Sequence, residues 1–201
     1  MELHQDNRLP LLDVEDLSPA GVELREKIIS TFHGTFDVVD SDEHMLGPFN
    51  AALYSPELHD LVVRLATTSM TSTSLSGRER EIAVLTLAVQ RDADYIWYAH
   101  ERVARAAGLP ESVLRRIESQ QPLNTLDRRE QTVQRISHSL VSRTNVPDSL
   151  YEEAVEVLGY RSLVELVTVV GTYELIALHL ATFRCHSPDG APGDHILLGE
   201  D

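Results

Sequence analysis

Arg78-x-x-Glu81, followed at some distance by Tyr95-Ile96-Trp97-Tyr98-Ala99-His100, sets a carboxylate and an imidazole in two segments that are otherwise largely apolar. Such a pair moves protons. Burial disfavours the imidazolium and a nearby carboxylate favours it, so a buried histidine needs a partner if it is to work near neutral pH. On a helix, residues three, four and seven apart share a face, which puts Ala93, Ile96, His100, Val103 and Ala107 on one stripe. Glu81, in the first turn of the preceding helix, is the best-placed partner. Two consecutive helices joined by a short turn run antiparallel, bringing the start of one beside the later part of the next. A purely structural alternative has His100 buried and hydrogen-bonded to a carboxylate with no chemistry, as core histidines often are.

The elements that must position this pair all read as helices. Ser18-Pro19 gives an N-cap with proline in the first turn, and Val22, Ile28, Ile29 and Phe32 continue the helix to Gly34. A short helix runs from Pro48 to Tyr54. Ser55-Pro56 starts the next, with Leu58, Leu61, Val62 and Leu65 on one face. Ser76-Gly77-Arg78-Glu79 has the form of a capping box, and Ile82 to Val89 is apolar nearly all round, which predicts a buried central helix. Asp92 or Asp94 can cap the next, which ends at Gly108-Leu109-Pro110. Further helices are predicted from Pro110 to Ser119, Leu126 to Ser142 and Pro147 to Leu158, the last closed by Gly159. A second capping box, Ser162-Leu163-Val164-Glu165, opens an apolar helix reaching Phe183. The expected architecture is all-α, a helical bundle with two buried central helices. Residues 1–17 read as an N-terminal arm lying over the body or a partner subunit, 18–186 as the helical domain, and 187–201 as an irregular tail in which Ile196-Leu197-Leu198 could dock on a neighbour.

Composition narrows the function. A net charge of -15 argues against binding a phosphate backbone, and Arg102/Arg105 and Arg115/Arg116 read as solvated faces among acidic residues. Leu163 to Phe183, the most apolar stretch, contains Glu165, Glu174 and His179 and falls short of the ~20 uninterrupted apolar residues of a bilayer span. The amino terminus lacks a basic region followed by an apolar run, so a cytoplasmic location is expected, with no membrane partner. The single cysteine, Cys185, excludes an intrachain disulfide and any Cys-x-x-Cys motif. Nine histidines are present, none in His-Glu-x-x-His or His-x-His spacing, so no metal site is expected.

Arg78-x-x-Glu81, an apolar helix, Tyr95-Ile96-Trp97-x-x-His100 and Ala106-Ala107-Gly108-Leu109-Pro110 together resemble the core of the carboxymuconolactone decarboxylase and AhpD-like family. The resemblance extends upstream to Leu46-Gly47-Pro48-Phe49-Asn50-Ala51-Ala52-Leu53-Tyr54-Ser55-Pro56-Glu57, which is similar to the decarboxylase-like branch, and downstream to Leu163–Phe183, covering residues 8 to 186. It implies an AhpD-like bundle and homo-oligomers, whether trimers, hexamers or related assemblies. Where peroxidase members carry two cysteines this chain has Ala93 and Ile96, so thiol peroxidase chemistry is not expected. Ile96 also replaces the acidic residue of Tyr-Glu-Trp.

On that resemblance the expected activity is a cofactor-free lyase or isomerase (decarboxylation, dehydration or ring opening) acting by proton transfer on a small, enolisable, hydrophobic metabolite. His100 transfers the proton and Glu81 orients and polarises it. Trp97, Ile96, Met45 and Phe49 are expected to wall the pocket, and Tyr98, like Tyr173, to be available as a donor to a substrate oxygen. The alternative is a non-catalytic metabolite-binding or structural oligomer that keeps the fold. No Gly-x-Ser-x-Gly elbow, Walker A loop or dinucleotide fingerprint supports other enzyme classes.

Overall fold

The computed structural model of the chain describes residues 8–188 except 125, 143, 144 and 186. Among these, eight α-helices form and the only β pairing is an isolated bridge between Val39 and Met45. They are α1 (Pro19–Phe32), α2 (Pro48–Leu53), α3 (Pro56–Thr71), α4 (Gly77–Gln90), α5 (Asp94–Ala106), α6 (Glu111–Glu118), α7 (Arg128–Val141) and α8 (Asp148–Phe183).

Local chemistry sets most of the helix starts. Ser18 Oγ accepts from the Gly21 amide with Pro19 at the first position of α1, and Asp127 caps α7 by accepting from the Glu130 amide. The Ser76 box is complete: the Ser76 amide donates to Glu79 Oε2 at 2.7 Å, and the Glu79 amide to Ser76 Oγ at 3.2 Å. Two expected caps do not form. Ala93, not Asp92 or Asp94, is the N-cap of α5. Asp94 is instead the first residue of that helix, and its Oδ2 accepts from the Ser187 amide, tying the segment after α8 to the base of α5. The box at Ser162–Glu165 is also absent, because the chain breaks earlier, at Gly159 (φ 77°, ψ 162°), and is helical again before Ser162. With the break already made at a residue that tolerates positive φ, both side chains turn to the α3–α4 loop. Glu165 Oε2 accepts from the Ser74 amide at 2.7 Å, and the Ser162 and Ser74 hydroxyls lie 2.8 Å apart.

The two buried central helices are α4 and α5. Residues 81–89 of α4 are buried without interruption, and α5 is buried from Asp94 to Glu101. They run antiparallel: a Cβ on Gly77, at the start of α4, would lie 3.5 Å from Ala107 Cβ at the end of α5. Arg78 fastens this corner, donating to Glu130 of α7 and, at 2.7 Å, to the Gly108 carbonyl. By length and composition α8 could cross a bilayer, but Gly159 breaks it and it packs on α3, α4 and α7. Residues 8–17 lie over the body: Asn50 Oδ1 accepts from the Leu12 amide at 3.1 Å, and Asn50 Nδ2 donates to the Pro10 carbonyl at 2.9 Å. Residues 189–201, including Ile196-Leu197-Leu198, lie outside the described residues.

Apolar side chains on two helices point outward. Leu58, Leu61 and Leu65 of α3 are exposed, as are Val164, Val167 and Leu178 of α8. The α3 face that turns inward is the one bearing His59, Val62, Val63, Ala66 and Met70. Three arginines of the sequence patches are engaged: Arg105 pairs with Glu101 and Glu111, Arg116 donates to the Pro122 carbonyl, and Arg102 lies over the Tyr98 ring.

Candidate active site

α1, α2, α3, α5 and α8, with the first turn of α4, enclose a cavity of about 390 Å³. Its wall is mostly apolar: Phe32, Phe49, Val62, Val63, Met70, Ile96, Val103 and Ile176 all face it. The helix stripe of α5 holds as expected except at its start. Ile96, His100, Val103 and Ala107 line the cavity, joined by Tyr95 and Ala99, whereas Ala93 lies buried at the helix N-cap.

His100 and Glu81 meet, with His100 Nδ1 2.9 Å from Glu81 Oε2. Glu81 is 1% exposed. An ionised carboxylate so deeply buried needs a partner to offset its lost hydration, and the imidazole N–H supplies one. The carboxylate can only accept, so Nδ1 carries the hydrogen and Nε2 is left with a lone pair. Nε2 has no hydrogen-bond partner among the described residues. Tyr173 packs edge-on against the His100 ring, centroids 4.7 Å apart and planes at 90°. Burial, reinforced by the Glu81 charge, pushes the Tyr173 phenol well above its ordinary range, so it stays a hydrogen-bond donor. Arg80 completes a polar group on this wall. Its Nη1 donates to the Leu75 carbonyl, while Nε is buried and without a partner among the described residues.

Of the predicted site residues, the structure brings together Glu81, His100, Ile96 and Phe49 and places three elsewhere. Trp97 is turned away from the cavity into the core. One position along a helix is a rotation of about 100°, so the neighbours of a cavity-facing residue need not share its face. Tyr98 reaches the loop before α2, where its hydroxyl accepts from the Asp37 amide at 3.3 Å and donates to Asp37 Oδ2 at 3.2 Å. Met45 is core, beside the Val39 bridge. Sequence reasoning missed His59, Phe32, Arg80 and His179 on the cavity wall. The α3 contribution had a legible signal, since His59, Val62, Val63, Ala66 and Met70 follow helical-face spacing, but the neighbouring leucine stripe is more apolar and masked it.

The one cysteine is not on this cavity wall. Cys185 is buried after the end of α8 and burial raises it to about 11, so it is a thiol at neutral pH. Among the described residues no group of three or more His, Cys, Asp or Glu is arranged to hold a metal ion.

No family model and no curated protein matches the chain. Solved structures do. An uncharacterised peroxidase-related protein from Ralstonia eutropha with an alkylhydroperoxidase AhpD core superposes with a TM-score of 0.74 at 14% identity, covering 92% of this chain and 94% of that one. A protein of unknown function from Agrobacterium tumefaciens, provisionally assigned to antioxidant defence as an AhpD, matches with a TM-score of 0.64 at 18% identity, covering 69% of this chain and 96% of that one. The all-helical chain built around the antiparallel α4–α5 pair therefore has the AhpD-like fold.

Proposed function

We propose that the protein is a lyase or isomerase that moves a proton on a small, enolisable, hydrophobic metabolite, with His100 Nε2 as the transferring atom and Glu81 as its positioning partner. The observation that supports this most is the Glu81–His100 bond on the wall of an apolar cavity. Glu81 holds the ring in the tautomer that leaves Nε2 free and stabilises the imidazolium formed when Nε2 takes a proton. Abstraction of a proton next to a carbonyl leaves negative charge on oxygen, and the same wall carries groups able to receive it in Arg80 and the un-ionised Tyr173. The largely apolar lining suits a hydrophobic metabolite and strengthens each of these interactions by keeping water out. His100 and Glu81 can carry this acid–base chemistry by themselves.

Hydron exchange in D₂O, followed by NMR over a panel of hydrophobic ketones, lactones and β-keto acids, tests the reading whatever the product is. Turnover or exchange of at least one member is expected, with a loss of about 10²–10⁴-fold in His100→Ala. Unchanged rates in both His100→Ala and Glu81→Gln would overturn it.

The outward-pointing Leu58, Leu61, Leu65, Val164 and Val167 support a second proposal, that copies of this chain associate through α3 and α8. Light scattering is expected to show an oligomer in the wild type and a smaller species in Leu61→Glu; a monomeric wild type at working concentration would sink the idea.

A further inference from the structure

His59 of α3 and His179 of α8 face each other on the cavity wall, with their Nε2 atoms 3.3 Å apart. Each Nδ1 is 2.9 Å from a backbone carbonyl oxygen one turn earlier on its own helix, that of Ser55 for His59 and of Leu175 for His179. A carbonyl oxygen only accepts, so both Nδ1 atoms carry hydrogen. In the neutral rings both Nε2 atoms are then left with a lone pair and no proton. Two lone pairs at this separation repel each other. A positive centre belongs between them, either a proton on one ring or a metal ion bound by both.

The spacing fits the ion. Imidazole nitrogen binds Zn²⁺ at about 2.0–2.1 Å, so two nitrogens on one tetrahedral ion lie about 3.3–3.4 Å apart and their ring centres about 5.1–5.2 Å apart. The ring centres here are 5.1 Å apart. Donation from Nδ1–H to a backbone carbonyl is also the usual outer contact of a metal-binding histidine, fixing the tautomer and making the ligating nitrogen more basic. The donor type selects the ion: two imidazoles suit zinc, nickel, cobalt or copper and not magnesium or calcium, which take oxygen.

We propose that His59 and His179 form a two-nitrogen seat for a divalent transition-metal ion, the remaining coordination positions being open to water or to an oxygen or nitrogen atom of a small molecule in the cavity. Neither helix carries a metal-binding spacing by itself. The seat exists only because α3 and α8 pack with one histidine each at the contact. It stands apart from the His100–Glu81 proposal, since it concerns binding and is read from the metal alone.

The test uses the full chain stripped with chelator, titrated with Zn²⁺ by calorimetry and with Co²⁺ by visible absorption. One ion per chain is expected, bound at least tenfold more weakly by His59→Gln and by His179→Gln, not at all by the double variant, and unchanged in the surface control His33→Ala. ¹⁵N NMR of the wild-type imidazoles guards against variants that fold poorly: added Zn²⁺ should move the Nε2 signals of His59 and His179 and leave those of the other histidines in place. The proposal is overturned if stoichiometric binding survives in the folded double variant. It is equally overturned if neither ion binds saturably up to millimolar concentration, in which case the spectra should show one proton shared by the two Nε2 atoms.

Discussion

The α4–α5 wall and the α3–α8 wall of the same cavity each present histidine with its Nδ1 hydrogen committed, and the acceptor differs. His100 gives its hydrogen to the buried Glu81 carboxylate, while His59 and His179 give theirs to backbone carbonyls. A carboxylate favours the imidazolium, so His100 is equipped to take and return a proton. A neutral carbonyl fixes orientation without supplying a countercharge, and the two rings it orients converge on a point between them. The surroundings differ in the same sense. α4 is buried all round, so the carboxylate is held rigidly, whereas α3 and α8 leave apolar side chains open on their far side.

Exchanging the two histidine environments for alanine should break the comparison most sharply. His100→Ala is expected to lower proton-transfer turnover about 10²–10⁴-fold, while His179→Ala retains hydron exchange within about tenfold of wild type, measured on the same substrate. Equal losses would mean that the walls act as one unit. Packing gives the next largest contrast. Leu85, fully buried in α4, should cost about 2–5 kcal/mol as Leu85→Ala, against about 0.5 kcal/mol or less for Leu61→Ala measured on dissociated chains, where Leu61 is 58% exposed. Urea unfolding of both variants reads the difference.

Gly47 sharpens the contrast from the α5 side. A Cβ there would lie 2.5 Å from the Tyr95 ring, and the residue sits at φ 55°, so both the close approach and the backbone require glycine. Gly47→Ala is expected to destabilise by about 3 kcal/mol, read by urea unfolding, with the loss concentrated where the loop before α2 meets α5. A neutral substitution would show that this loop yields and does not brace the α4–α5 wall.

Most of the α4–α5 wall is legible in the chain because its determinants are local: a capping box, an apolar run, a short turn and a stripe at helical spacing. Glu81 and His100 follow from those alone. Trp97, Tyr98 and Met45 lie off the cavity because sharing a motif with a lining residue does not mean sharing its face, and rotation along the helix separates Ile96 from Trp97 and Tyr98. The α3–α8 wall is hidden for a different reason. His59 and His179 are far apart in sequence, and their meeting depends on how two helices cross, which no spacing encodes. The same holds for Ser162 and Glu165, whose cap-like pattern is used for a tertiary contact once Gly159 has ended the preceding helix.

That tertiary contact yields the smallest expected effect. Glu165 accepts from the Ser74 hydroxyl and amide and from Arg161, which hold its carboxyl at about 2, below its ordinary value of 4.5. A carboxyl whose pKa is lower folded than unfolded contributes stability that is present above the unfolded value and is lost as pH falls through the folded one. The contribution should therefore be complete at pH 6, shrink below pH 4.5, and be gone near pH 2. Because the group is solvent-screened, the effect is modest even when complete. The measurement is the difference in urea midpoint between wild type and Glu165→Gln at successive pH values. A difference that closes on acidification assigns the tether to the ionised carboxylate; one independent of pH would show that α8 is held to the α3–α4 loop by the Ser74–Ser162 pair and by packing, with the Glu165 charge irrelevant to this wall.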